Sequence, residues 1–166
     1  MRRRTSLRAA TAAASGLLLA LAGCAVAPSR PEPSGPRWSG RLALQIEGQP
    51  EGSFTASFDL RGSARAGELE LFTPLGGTAA WLQWAPDQAR LRAPGQPERQ
   101  AASLHDLLVQ AIGTALPVAA LFDWLAGIPS VAAGWQADLS GRAEGRLRAR
   151  RLTAPAADLR IVLHTP

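Results

Sequence analysis

Alternating hydrophobicity restricts the possible folds of this chain more than any other feature. Between Trp38 and Ile46, and again between Phe54 and Leu60, every second residue is apolar or small and most residues between them are polar. Successive side chains of a β-strand point to opposite faces, so this pattern predicts strands with one buried face. The same pattern predicts further strands at Glu68–Leu71, from Thr78 to Ala85, and at Ala89–Ala93, Trp135–Leu139, Leu147–Ala149 and Leu159–Leu163.

Two helical segments interrupt the strands. Ser103 is a predicted N-cap, with Asp106 three residues later as in a capping box, and Gly113 ends the first helix. The second helix follows Pro117 and ends near Gly127. Both are short and apolar and therefore need a surface to pack on. This order predicts an α+β fold, an antiparallel incomplete (half) β-barrel in which the short helices form a plug or lid. Their apolar stripes are Leu104, Leu107, Leu108, Ala111 and Ile112, then Val118, Leu121, Phe122 and Leu125 with Trp124 at the edge.

The interior of such a half-barrel would be apolar. Its inward residues can form either an ordinary packed core or a dry pocket for an apolar ligand, and the pattern leaves both open. Trp81 and Trp84 have opposite parity on one predicted strand, so at least one of them lies off the core face unless a β-bulge separates them. The predicted inward residues are Phe54, Phe58, Leu69, Leu71, Leu108, Leu121, Phe122 and Leu125.

The predicted hairpin between Glu68 and Ala85 has an unusual loop. Pro74 fixes φ and Gly76 permits a positive φ, so a tight turn is expected. Leu75 lies between them, where loops usually carry polar residues. It could fold back onto the core, or it could be an exposed apolar finger that contacts lipid or a partner.

The N-terminus resembles that of bacterial lipoproteins. Residues 1–23 combine a basic start with a short apolar run, as in a secretory signal peptide. Cys24, the single cysteine, ends a Leu-Ala-Gly-Cys segment like the lipobox, which implies cleavage before Cys24 and its acylation. Ala25 after it implies export to the outer membrane. Residues 24–36, with four prolines, are predicted to be a flexible tether, and residues 37–166 the folded domain.

Charge gives little support for a nucleic-acid partner. The chain has 18 basic residues, all arginine, and 13 acidic ones, but four of the arginines lie in the signal segment, and the remainder is near neutral. The densest cluster is predicted to be a solvated strand face, with a docking patch for an acidic partner as the alternative. Its members are Arg146, Arg148, Arg150 and Arg151.

Catalysis is not expected. Ser103, His105 and Asp106 crowd one helix start, where they cannot act in series as nucleophile, base and orienting group. Neither a metal-ligand spacing nor a phosphate loop is present, so no metal and no cofactor are predicted.

Five segments resemble, in their order and spacing, the LolB family of outer-membrane lipoprotein receptors. The resemblance implies a half-barrel with a helical lid over a hydrophobic cavity, to which the inward residues above would contribute. The segments are Trp38-x-Gly40-Arg41, Pro74-Leu75-Gly76, Leu116-Pro117, Leu121-x-x-Trp124-Leu125-x-Gly127-x-Pro129 and Gly134-Trp135.

The resemblance also implies a function. A LolB-like protein takes acylated lipoproteins from the periplasmic carrier LolA and inserts them into the outer membrane without nucleotide, and the residue matching Leu75 takes part in membrane delivery. The expected partners are therefore a LolA-type carrier, lipoprotein cargo and outer-membrane lipid, for a monomeric, lipid-anchored, periplasm-facing protein. The alternative is a structural or assembly lipoprotein of the outer membrane whose core is simply packed.

Overall fold

A computed structural model describes residues 34–164 of the chain. The predicted signal peptide (1–23), Cys24 and nearly all of the tether lie outside this range. Within it, one sheet of nine strands and two α-helices account for the regular structure, together with short 3₁₀ turns at 50–52 and 142–144. The elements are β1 (Arg37–Ile46), β2 (Phe54–Gly62), β3 (Gly67–Phe72), β4 (Thr78–Ala85), β5 (Gln88–Arg92), β6 (Arg99–Ala101), α1 (Leu104–Ile112), α2 (Val118–Leu125), β7 (Trp135–Asp138), β8 (Arg146–Arg151) and β9 (Ala157–Leu163).

The sheet is antiparallel throughout, in the order β6-β5-β4-β3-β2-β1-β9-β8-β7. It is open, because β6 and β7 at its two ends do not pair with each other. This agrees with the predicted incomplete barrel. In such an order β1, β3, β5 and β8 run in one direction, so all four finish at the same end of the sheet. We call this end the upper rim.

The predicted alternation is confirmed in most strands. Leu44, Phe58, Leu60, Leu159 and Ile161 are buried on one face of the central strands, and their neighbours in sequence face outward. Two details differ from the prediction. The three-residue strand β6 carries no alternation long enough to predict it, and Ala137 in the short edge strand β7 is exposed.

Gly40 is required by the close packing of β1 against β9. A Cβ at this position would lie 2.1 Å from the carbonyl oxygen of Val162, which belongs to the backbone and has no room to move. The glycine of the Trp38-x-Gly40-Arg41 segment is therefore explained by backbone approach.

Both helices begin and end close to where the sequence predicts. The Ser103 hydroxyl oxygen accepts a hydrogen bond from the Asp106 amide at 3.0 Å, and Gly113 ends α1 with φ of 73°. The guanidinium of Arg142 donates to the carbonyl of Leu125 at 2.9 Å, which satisfies one free carbonyl at the end of α2. Within residues 34–164, no helix is both long and apolar enough to span a bilayer.

Trp124 corrects one sequence prediction. It was expected at the edge of the α2 stripe, but only 1% of its surface is exposed, and its indole N–H donates to the carbonyl of Ser130 at 3.0 Å. Periodicity within the helix could not show this, because the loop that follows α2 folds back and covers the ring.

Asp158 joins β8 and β9 on the outer face. Its carboxylate accepts hydrogen bonds from Arg148 at 3.0 Å and from Arg160 at 3.0 Å. The pKa of Asp158 is lowered, mainly by the hydrogen bond from Arg148 and further by that from Arg160. The carboxylate therefore stabilises the fold at pH values above the ordinary aspartate pKa. This contribution is lost as the pH falls through the lowered pKa of Asp158.

We expect Asp158→Asn to lower the free energy of unfolding by about 0.5–1 kcal/mol near neutral pH. The difference from wild type should begin to shrink below about pH 4 and vanish once the pH is below the lowered pKa of Asp158, because the folded wild-type carboxyl is then protonated as well. Urea denaturation at several pH values measures it. Asp87→Asn, in the exposed β4–β5 turn, is the control and should match wild type within about 0.5 kcal/mol. A constant deficit at every pH would contradict the ion-pair assignment.

Candidate functional site

A cavity of about 740 Å³ lies between the sheet and the two helices. This volume is within the range of about 300–1,000 Å³ that is usual for small-molecule pockets. Its walls are mainly leucine, isoleucine, phenylalanine and alanine side chains from β1 to β5, β9, α1 and α2. Its most polar lining residues, Glu51, Thr73, Gln96 and Arg99, all lie at the upper rim. The cavity therefore opens toward this rim and is lined by apolar side chains farther in.

A smaller cavity of about 70 Å³ continues the apolar space around Phe122. Every residue that lines it is apolar, and it shares Leu69, Leu108 and Leu121 with the larger cavity. The rings of Trp38 and Trp84 meet Phe122 edge-on, at centroid distances of 5.5 and 6.3 Å. These aromatic contacts close the end of the apolar space farthest from the mouth.

The structure brings together all eight residues that the sequence predicted to face inward. Phe54 and Leu71 line the larger cavity, Phe58, Phe122 and Leu125 line the smaller one, and Leu69, Leu108 and Leu121 line both. The interior is thus not solid. Whether these residues hold an acyl chain stays a prediction.

Several wall residues were missed by the sequence analysis of the site. Leu42, Leu91 and Ile161 belong to the alternation already described, so the pattern could have included them. Leu116 lies in the connection between α1 and α2, where no periodicity exists, and only the fold brings it to both cavities.

Trp84 is the tryptophan of β4 that faces the interior. It is buried, and its indole N–H donates to the carbonyl of Ser63 at 3.0 Å. Trp81 lies on the outer face, where the guanidinium of Arg92 is 5.2 Å from the ring centroid. Side chains of β4 therefore alternate regularly between the two faces of the sheet from Trp81 to Trp84.

The β3–β4 loop presents Leu75 to solvent. The Gly76 amide donates to the Thr73 carbonyl at 2.9 Å, and the Thr73 amide donates to the Gly77 carbonyl at 2.8 Å. Gly76 has φ of 84°, which an L-residue rarely adopts. This turn holds the side chain of Leu75 away from the core, and 98% of its surface is exposed. Thr73 and Pro74 also line the cavity, so the exposed leucine stands beside the mouth.

The helix start at Ser103 has a structural role. The Ser103 hydroxyl is engaged with the amide and carboxylate of Asp106, which is the geometry of a cap. His105 is exposed. Among the described residues, no group of three His, Cys, Asp or Glu side chains is placed to hold a metal ion.

The arginine cluster of β8 is partly engaged within the protein. Arg148 pairs with Asp158, and Arg151 donates to the hydroxyl of the buried Thr114. Arg146 and Arg150 are exposed on the outer face. Arg146, Arg148 and Arg150 lie on the face opposite the cavity, whereas Arg151 shares the inner face with Leu147 and Ala149.

Comparisons with known proteins agree on one family. A family model described as "Outer membrane lipoprotein LolB" matches residues 37–154. Proteins named "Outer-membrane lipoprotein LolB" are similar to the chain. That of Cupriavidus pinatubonensis is 39% identical over 140 residues, which cover 80% of this chain and 66% of the relative. That of Cupriavidus taiwanensis is 38% identical over 120 residues, covering 68% and 59%. That of Cupriavidus necator is 38% identical over 120 residues, covering 68% and 60%. The matched part of the chain thus spans less than two thirds of these relatives.

We expect Ala80→Trp to weaken binding of a fluorescent fatty acid roughly tenfold or more, because an indole at this wall would occupy the larger cavity. Fluorescence titration of the purified protein measures it. The matched control is Gln83→Trp, which places the same indole on the outer face of β4 and should bind like wild type. Equal affinities of the two variants would exclude this cavity as the binding site.

Proposed function

The chain belongs to the LolB family, and on that premise we propose that it receives acylated lipoproteins from a LolA-type periplasmic carrier and inserts them into the outer membrane. Membership of the family makes it an outer-membrane lipoprotein, as the segment around Cys24 predicts. The observation that carries the proposal is an apolar cavity whose mouth adjoins a fully exposed leucine. The transfer is physical and needs no covalent chemistry.

The cavity suits the acyl chains of the cargo. If a methylene group takes about the volume of a water molecule in the liquid, roughly 30 Å³, the larger cavity has room for on the order of two dozen methylene groups. Each methylene that leaves water contributes about 0.8 kcal/mol. Holding even one acyl chain in this space therefore avoids the large free-energy cost of exposing that chain to the aqueous periplasm.

The two helices act as the lid in this proposal. Leu107, Leu108 and Ile112 of α1 and Leu121 of α2 form the side of the cavity that faces the sheet. α1 and α2 have nine and eight residues, so each is too short to be stable without that apolar surface. An acyl chain that enters between the helices and the sheet would replace these apolar contacts with equivalent ones. Separating the helices from the sheet therefore costs little free energy once cargo is present.

Leu75 supplies the contact with the target membrane. Its side chain would enter the lipid interface and bring the cavity mouth to the bilayer, while the acylated Cys24 keeps the protein at the same membrane. The acyl chains then move from one apolar environment to a larger one. Delivery needs no nucleotide if the acyl chains have a lower free energy in the bilayer than in the carrier or in the cavity of this protein.

We expect Leu75→Glu to accept lipoprotein from the carrier normally but to deliver it to liposomes about ten- to a hundredfold less efficiently. Removing a leucine from an apolar environment costs about 1.5–3 kcal/mol, and a charge resists entry into the interface. The assay mixes the protein with a LolA-type carrier loaded with lipoprotein and follows the cargo first to the protein and then to liposomes.

Val162→Glu is the matched control, because Val162 is also exposed but lies on the outer face of β9. It should accept and deliver cargo like wild type. Normal delivery by the Leu75 variant would refute the role of the loop. Failure of the wild-type protein to take cargo from the carrier would favour the alternative of a structural or assembly lipoprotein.

A further inference from the structure

A second apolar surface lies at the upper rim, formed by the loop before β7 and the loop between β8 and β9. The side chain of Val131 is fully exposed at 100%, and that of Leu152 is exposed at 61%. Ala133 and Ala154 beside them are exposed as well. We call these four residues the Val131 patch. Single exposed aliphatic side chains are common at protein surfaces, but a contiguous apolar patch formed by adjoining loops can mark an interaction site.

Hydrogen bonds hold the patch in its exposed position. The buried Trp124 donates to the carbonyl of Ser130 at 3.0 Å, and the amide of Trp135 donates to the carbonyl of Ala132 at 3.0 Å. The backbone is thus fixed on both sides of Val131. The Leu152 amide donates to the carbonyl of Gly134 at 3.0 Å, which joins the two loops. Val131 therefore cannot turn inward without breaking bonds that involve buried tryptophans.

The chemistry of the patch suits a lipid interface. From Gly127 to Trp135, and from Leu152 to Ala157, neither loop contains an ionisable side chain. Arg150 and Arg151 directly precede the second loop, and Arg150 is exposed. Aliphatic tips with an adjacent arginine are typical of surfaces that bury apolar groups below the headgroups and place a cation near the phosphates.

The patch shares the upper rim with Leu75. β3 and β8 run in the same direction, so the loops that follow them leave the sheet at the same end. They are four strand spacings apart, about 19 Å measured along the sheet. The β1–β2 turn lies between them, and its Glu47 and Glu51 would remain at the level of the headgroups. The residues at the cavity mouth run along the rim from Glu51 in this turn, past Thr73 and Pro74 beside Leu75, to Gln96 and Arg99. Leu75 therefore lies at the mouth, and the Val131 patch lies on the same rim beyond its Glu51 end.

We propose that the Val131 patch is a second membrane-contacting surface, which together with Leu75 docks the cavity mouth against the bilayer. The inference deepens the proposed function and rests on it for the membrane that is contacted. A single apolar side chain would leave the domain free to tilt about one point. Two contacts on the same rim fix the direction in which the mouth faces, so that cargo leaves toward lipid.

The anchor is compatible with this orientation. β1 starts at the end of the sheet opposite the upper rim, and its ten residues extend about 34 Å. The thirteen residues 24–36 can span up to about 45 Å when extended. A chain anchored through Cys24 can therefore bring its upper rim to the membrane that holds it.

The test places a fluorophore at single positions of the full-length acylated protein in vesicles of phosphatidylethanolamine and phosphatidylglycerol. Since Cys24 is the single cysteine and would be acylated, Val131→Cys provides one free thiol for a nitrobenzoxadiazole label. We expect its emission to shift to shorter wavelength and to be lost when the lipids carry doxyl quenchers. Leu75→Cys is the reference, and Val162→Cys, half-exposed on the outer face, should keep the emission it has in water.

The outcomes separate the two proposals. A label at position 131 that stays in water while the label at 75 enters lipid would overturn the inference and leave the proposed function intact. Entry at 131 but not at 75 would support the patch and contradict the role of Leu75. A label at 131 that is protected only after the LolA-type carrier is added would identify a protein contact and overturn the inference.

A functional variant adds a second readout. Val131→Gln combined with Leu152→Gln changes only exposed side chains, so folding should be unaffected. We expect this variant to accept cargo normally and to deliver it several-fold less efficiently, whereas Val162→Gln should deliver like wild type. Unchanged delivery by the double variant would contradict a role of the patch in docking.

Discussion

The structure depends on the need to cover one apolar face of an open sheet. Nine strands within residues 34–164 turn their leucine, phenylalanine and isoleucine side chains to the same side, and this face cannot remain in contact with water. The elements available to cover it are α1 and α2, which together have only seventeen residues. They bury Leu107 and Leu125 completely but leave an apolar space beside them. The cavity is thus a consequence of a large sheet with a small cover.

Strand direction then decides where this cavity can act. Because β1, β3 and β5 finish at the same end, the loops that follow them border the mouth, and the loop after β8 lies at the same end of the sheet. The β3–β4 loop presents Leu75 and the β8–β9 loop presents Leu152 at this end, whereas the chain enters the sheet from the other end. An antiparallel order therefore separates the attachment of the tether from the surface that would meet lipid. The alternation along β8 places Arg146, Arg148 and Arg150 on the face opposite the cavity, where Arg148 pairs with Asp158.

Much of the fold could be predicted, because the apolar and polar residues of a half-buried strand alternate, and this alternation is visible in a single sequence. The bounds of β1, β2 and α1 agree with the predictions to within about two residues. β6 could not be predicted, since three residues are too few for a period. Ala137 was expected to be buried like Trp135, but β7 is an edge strand of four residues and leaves it exposed. Trp124 was expected only at the edge of the α2 stripe because its cover is the next loop, which local pattern does not describe.

The sequence by itself determined which side chains share a face, and hence the eight inward residues, because side-chain direction in strands and helices follows from local backbone geometry. It could not determine whether that interior is filled, since the packing of two helices over a curved sheet depends on contacts between residues far apart in the chain. It also left open whether Leu75 folds inward. The tertiary structure decided this, because the turn between Thr73 and Gly77 directs the side chain away from the core. Leu116 reaches the cavity wall only through elements distant in sequence, and Val131 comes beside Leu152 only because the Leu152 amide bonds to the Gly134 carbonyl.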